Sequence, residues 1–140
     1  MKGYLLDTNV VSELRKGERG NRGLAEWYRH RDKRELFLSV ITLAEIRRGI
    51  ALLRRRDPFQ AAILDRWCET LQHEFGRVGH LLSLDPAEAA AWGDLMSLRS
   101  LPILDAFLAA TARTHRLTLV TRNESDFAGL PVDLENPFTS

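Results

Sequence analysis

Five short apolar runs, separated by stretches of helical period, constrain this chain more than any other feature. Tyr4 to Asp7, Leu36 to Ser39, Leu81 to Leu84, Leu117 to Thr121 and the more polar Val132 to Leu134 read as strands. Runs that are apolar without alternation suit strands buried on both faces, since alternation marks a sheet with one face in water. The segments between them carry apolar residues every three or four positions, so strands and helices take turns along the chain. The expected fold is α/β: a mostly parallel central sheet of about five short strands flanked by helices, within a single domain over residues 1–140.

The connecting segments have readable ends. "NVVSELRKG" is a short helix closed by Gly17, and residues 22 to 32 form a second helix. "TLAEIRRGIALLRRR" and "DPFQAAILDRWCETLQHEFG" predict a protruding helical hairpin broken at Asp57 and Pro58. In its second arm Leu64, Trp67, Leu71 and Phe75 form one apolar stripe, which is core or a partner interface. "PAEAAAWGDLMSLRS" starts on Pro86, a residue favoured in a first helical turn, and "ILDAFLAATARTHR" leads into "LTLVT".

Composition narrows the class. An apolar share of 44% and a charged share of 28% exclude a disordered or fibrous chain, and 140 residues suffice for one core without staples. The lone Cys68 excludes an internal disulfide and fits a reducing compartment. The run after the initial Met is too short for a signal peptide, and no stretch is long enough to span a membrane; the cytoplasm is the expected location. Net charge is +1, but residues 22 to 56 hold ten Arg or Lys against four Asp or Glu. That surplus of six is either a solvated helix face or the footprint of an anionic partner.

Asp7 ends the first apolar run, with Thr8 and Asn9 behind it. Glu45 follows the second run in "SVITLAEI", Asp105 lies in "LPILDAFLAAT" ahead of the fourth, and Asp126 lies just beyond the fourth in "LVTRNESDF". Parallel strands share one carboxyl edge, so Asp7, Glu45 and Asp126 come together there, and Asp105 joins them where its helix starts at that edge. Each acid alone has a plainer reading. Asp7 would cap a helix, Thr42 and Glu45 have capping-box spacing, Asp105 favours a helix dipole and Asp126 caps a turn. Asp85 before Pro86 is of that kind, and the cap is accepted there.

Converging carboxylates repel and raise one another's pKa values, a conflict that a divalent cation removes. Hard oxygen donors without a Cys or His cluster point to Mg2+, with Mn2+ as substitute; His30, His73, His80 and His115 show no ligand spacing. An acidic magnesium site serves phosphate chemistry, and the basic segment makes a nucleic-acid phosphodiester the substrate it suggests. Arg47 and Arg48, just beyond Glu45, are the candidates for holding its backbone, which the resemblance given below makes an RNA backbone.

Taken in order, "LLDTNVVSEL", "SVITLAEIRRGI", "LPILDAFLAATARTHRLTLVTRNESDFAGL" and "ENPF" resemble the PIN-domain ribonucleases, and within them the VapC toxins of bacterial toxin-antitoxin pairs, in the FitB-like branch. The resemblance covers nearly the whole chain. It implies a PIN-like fold, Mg2+-dependent hydrolysis of RNA, of tRNA or another structured RNA, leaving a 3′ hydroxyl and a 5′ phosphate. It further implies a homodimer and a cognate VapB-like antitoxin. Asp7 and Asp105 stand where the family has its principal metal ligands, Glu45 where the base or outer ligand for water stands, and Asp126 where metal or water is positioned. Thr8, Asn9, Thr121 and Asn123 would orient carboxylates or substrate, Asn123 foremost.

Two rival classes can be separated from this one. A haloacid-dehalogenase-like phosphotransferase begins with a similar Asp-x-x-x pattern but needs a second acid, which is Asn9 here, and a later lysine, whereas no lysine follows Lys33. A non-catalytic module that binds only RNA or a partner would not need four acids, and a magnesium titration distinguishes it.

Overall fold

A computed structural model describes residues 2–139. Strands β1 (Tyr4–Leu6), β2 (Leu36–Ser39), β3 (Leu81–Leu82), β4 (Thr118–Val120) and β5 (Leu134–Glu135) form one sheet in the order β3-β2-β1-β4-β5. Every neighbouring pair is parallel, so each connection crosses over through helix. The helices are α1 (Thr8–Leu14), α2 (Arg22–Arg29), α3 (Val40–Arg54), α4 (Pro58–Arg77), α5 (Pro86–Leu98), α6 (Ile103–Thr114) and α7 (Glu124–Phe127).

Side-chain alternation along the buried strands divides the interior in two. Leu5 and Leu119 point to the face covered by Leu95 of α5, Leu108 and Ala112 of α6, and Phe127. Tyr4, Leu6 and Val120 point the other way, onto Val10, Leu24, Ile46, Ile50, Ala61 and Cys68 of α1 to α4. Both faces are dry, which is why these strands read as unbroken apolar runs. Cys68 is fully buried in the second core, where burial pushes its thiol above the ordinary value. The α4 stripe of Leu64, Trp67, Leu71 and Phe75 packs against the same core, half-buried.

Local chemistry sets the helix starts. The side chains of Asp7, Asn21, Ser39 and Asp57 each accept from a backbone N–H at the start of α1, α2, α3 and α4. The hairpin of α3 and α4 breaks at Asp57 and Pro58 as expected. Helix α3 begins at Val40 with Ser39 as its cap, so Thr42 and Glu45 are no capping box; Thr42 is buried inside the first turn. At α5 the box exists: Glu88 Oε1 accepts from the Asp85 N–H at 3.1 Å.

Three expected boundaries shift. The segment after α2 turns into a 3-10 turn at Lys33–Glu35, held by Asp32 and Glu35, so α2 stops at Arg29. Strand β3 keeps two residues only. Strand β5 lies two residues later than its apolar run, because β4 dictates its register through Leu119 N–H to the Asp133 carbonyl at 2.8 Å and Thr121 N–H to the Glu135 carbonyl at 3.0 Å. The closing "ENPF" is a clasp: Glu135 accepts from the Trp27 indole, and Phe138 packs onto the second core under the Arg122 guanidinium.

This topology gathers the chemistry at one edge. Asp7 and Thr121 follow directly on β1 and β4, and Ser39 is the last residue of β2. Helix α6 feeds β4 at its start, through Arg116 in the left-handed region at φ 56°, so α6 itself begins at the carboxyl edge, with Asp105 in its first turn.

Candidate active site

Leu6 pairs with Val120 across β1 and β4, so Asp7 and Thr121 leave the sheet side by side. The Thr121 hydroxyl donates to Asp7 Oδ2 at 2.8 Å and accepts the Asn123 N–H at 3.0 Å. Asp7 Oδ1 accepts the Thr8 N–H at 2.7 Å, and Asn9 Nδ2 donates to Oδ2 at 3.3 Å. Asp7 therefore does cap α1, but the same carboxylate is 6% exposed, tied to a second strand, and held above the ordinary aspartate range. Burial causes that rise; the hydrogen bonds from Thr121, Thr8 and Asn9 oppose it, and the charge of Glu45 adds to it.

Glu45 lies in the second turn of α3, beyond the reach of a cap. Its Oε1 accepts the Thr8 hydroxyl at 2.6 Å, and that hydroxyl lies 3.4 Å from the Thr42 hydroxyl. Thr8 thus bridges two elements, its N–H on Asp7 and its hydroxyl on Glu45.

The Asp105 carboxylate accepts no hydrogen bond among the described residues. Its carboxyl is pushed up to about 6, first by burial and then by the charges of Asp7, Glu45 and Asp126. All four acids therefore share one electrostatic neighbourhood. Asp126, in α7, is exposed, and its backbone carbonyl accepts from Arg99. Among the described residues none of the four is within ion-pair distance of a Lys, Arg or His.

Whether these residues fit a cation can be tested on their chemistry. Among the described residues no three His, Cys, Asp or Glu side chains stand at metal-ligand separation. Magnesium keeps several waters and needs only one or two carboxylates, so a tight cluster is not required. The donors are all hard oxygens, and the buried Asn9 Oδ1 lacks a partner beside Asp7, an acceptor suited to a coordinated water or a substrate hydroxyl. The set fits a hydrated divalent cation.

The other candidate positions divide. Thr8, Asn9 and Thr121 reach the carboxylates through their side chains, whereas Asn123 contributes its backbone N–H and its side chain is exposed. Arg47 follows Glu45 by two positions, which is the opposite side of a helix, and it reaches Asp65 at 3.4 Å and Gln72 at 3.3 Å on α4. Arg48, three positions on, is exposed on the Glu45 side. Sequence reading missed Thr42 as a neighbour of Thr8, since its spacing suggested a cap, and Arg99 beneath Asp126, for which no local signal exists. The histidines pack or stay outside: His80 stacks on Phe37 with ring centroids 4.1 Å apart.

Comparison with known proteins gives the same picture. Residues 4–131 match the PIN domain. The VapC ribonuclease Y4jK of Sinorhizobium fredii is 33% identical over 96% of each chain, and the toxin FitB of Neisseria gonorrhoeae is 32% identical over 96% of this chain and 97% of its own. A structure of FitAB bound to an IR36 DNA fragment superposes with a TM-score of 0.84 at 29% identity, covering 98% of this chain and 96% of that one. A sheet of this order, acids at its carboxyl edge and relatives matched end to end lead to one conclusion: the chain belongs to the PIN-domain family, in the branch of the VapC ribonucleases and the FitB toxin.

Proposed function

We propose that this protein is a Mg2+-dependent endoribonuclease toxin, a single PIN domain acting in the cytoplasm, that hydrolyses RNA phosphodiesters and is restrained by a cognate VapB-like antitoxin. The observation that carries the reading is the placing of Asp7, Glu45 and Asp105 at the carboxyl edge of the sheet, where Thr8 ties Asp7 to Glu45 through its N–H and its hydroxyl. The ribonuclease and toxin names of the relatives support it.

Asp7 and Asp105 would hold the metal, with Asp126 sharing metal or water positioning. When bound, the metal supplies charge neutralisation at the scissile phosphate and acidifies a coordinated water. Glu45 takes the proton of the attacking water. The new P–O bond forms as the bond to the 3′ oxygen breaks, and that oxygen takes a proton from solvent, leaving a 3′ hydroxyl and a 5′ phosphate. Thr8 fixes the Glu45 carboxylate and Thr121 fixes Asp7, so both act as positioning residues.

Two surfaces suit protein partners. A groove of about 190 Å3 between α1, α2 and α4 has an apolar lining that includes Val11, Leu14, Leu38, Trp67 and Leu71, with Arg15 and Glu74 also lining it. That form suits an amphipathic antitoxin helix. Leu98, Ile103 and Leu104 stand exposed at the α5–α6 corner beside Asp105, where a second copy would cover them.

The test is cleavage of RNA by the purified protein in magnesium and in EDTA, with 5′ ends mapped. Cleavage that needs metal and disappears in Asp105→Asn supports the reading. Metal-independent cleavage, or undiminished cleavage by a folded Asp105→Asn, would sink it.

A further inference from the structure

Much of the basic segment is already engaged: Arg29, Arg34, Arg47 and Arg54 hold carboxylates, and Arg31 lies against the Tyr4 and Trp27 rings. What remains has a direction. Glu45, Arg48, Leu52 and Arg55 succeed one another at intervals of three, four and three, which is one side of α3 and its capping residue. Arg48, Leu52, Arg55 and Arg56 are exposed, and among the described residues none of the three arginines has an ion pair.

The strip ends at Phe59 in the first turn of α4, which at 78% is the most exposed large apolar side chain among the described residues. At a helical rise of about 1.5 Å per residue, the hairpin turn stands about 14 Å from Glu45 along the axis. Between them, at i+4 from Glu45, Gly49 is exposed, and a Cβ there would meet nothing within 4 Å. Helix packing does not require that glycine, and the bare backbone permits close approach from outside.

We propose that Arg48, Arg55, Arg56 and Phe59 form a recognition track for single-stranded RNA running from the acidic site to the hairpin tip. The proposal rests on the ribonuclease reading of that site. The arginines contact successive phosphates, and the Phe59 ring stacks on an unpaired base. Three uncompensated cations beside the ring favour a polyanion over a protein partner, which would have to neutralise or desolvate them.

The test is the affinity of a fluorescein-labelled single-stranded RNA of a dozen or so nucleotides, by anisotropy in magnesium, with every variant made in an Asp105→Asn background so that the RNA stays intact. Phe59→Ala should weaken binding at least about fivefold, Phe59→Trp should restore it, and Phe59→Leu should behave as Ala. Arg55→Ala with Arg56→Ala should lower the salt slope by about 1.4, that is, about 0.7 for each phosphate no longer neutralised, while Arg47→Ala leaves the slope unchanged. Wild-type affinity and slope in these variants, or no RNA binding by the parent, would overturn the track. So would a Phe59→Ala variant that binds RNA normally but sediments as a smaller species, which would make the tip a protein interface. Cleavage by the protein with Asp105 intact is scored separately, so failure of the ribonuclease reading is visible on its own.

Discussion

The Thr121 hydroxyl stands 2.8 Å from Asp7 Oδ2, a hydrogen bond between residues 114 positions apart that joins the exits of β4 and β1. Both groups are buried, so the bond makes the position of the carboxylate a property of the sheet register. Replacing Thr121 by Val keeps the shape and removes both the donor to Asp7 and the acceptor for the Asn123 N–H. Leaving buried polar atoms unsatisfied costs about 1–3 kcal/mol. Chemical denaturation should show a loss of that order, and RNA cleavage should fall more than the fraction folded does. Full activity in a folded Thr121→Val would show that Asp7 needs no such support.

Asp105 gives a pH-dependent prediction. Its folded pKa, about 6, lies above the unfolded value of 3.8, so the metal-free protein loses stability as pH rises from about 4 to about 6 and remains penalised above that. Asp105→Asn removes the penalty. In EDTA the variant should melt higher than wild type at pH 7 to 8, and the difference should vanish near pH 4. Asp105 is a cleaner site for this test than Asp7, whose carboxylate also caps α1. For a Kd of about 1 mM, 10 mM magnesium stabilises wild type by about 1.4 kcal/mol, most of which Asp105→Asn should lose. Equal melting curves at pH 8 would mean the four acids do not interact.

Thr8 tests the base. Thr8→Val deletes the donor to Glu45 Oε1 and should lower kcat about tenfold or more with little change in KM. Thr8→Ser keeps the hydroxyl and should recover most of the rate, which a merely structural role for the methyl group would not allow.

Gly49→Ala should raise stability by about 0.5–1 kcal/mol, because alanine loses less backbone entropy in a helix interior and nothing obstructs the added methyl. A thermal melt checks this. A lower melting temperature would mean that α3 needs glycine for its own packing.

The sheet was legible in the sequence because both its faces are dry: Leu5, Leu38, Leu119 and Val120 are fully buried and give runs that no amphipathic helix would. The place of Asp7, Glu45 and Asp126 toward the carboxyl edge followed from parallel strands alone, and that of Asp105 from the direction of α6. What remained illegible was set across the fold. The register of β5 belongs to β4, the pairing of Arg47 with Asp65 eighteen positions away has no local signal, and Ser39 both ends β2 and caps α3. The resemblance put Asn123 foremost among the orienting residues; the bond to Asp7 comes from Thr121, to which Asn123 gives its backbone N–H.

The threonine bridge has a direction. A hydroxyl has one hydrogen to give, and Thr8 gives it to Glu45 Oε1, so Thr42 can only donate toward Thr8. The chain from Thr42 through Thr8 to Glu45 is polarised in one direction and ends on an oxygen already committed as an acceptor. That bond fills one acceptor position of Oε1, and among the described residues no side chain donates to Glu45 Oε2, which stays open to a donor arriving from the site.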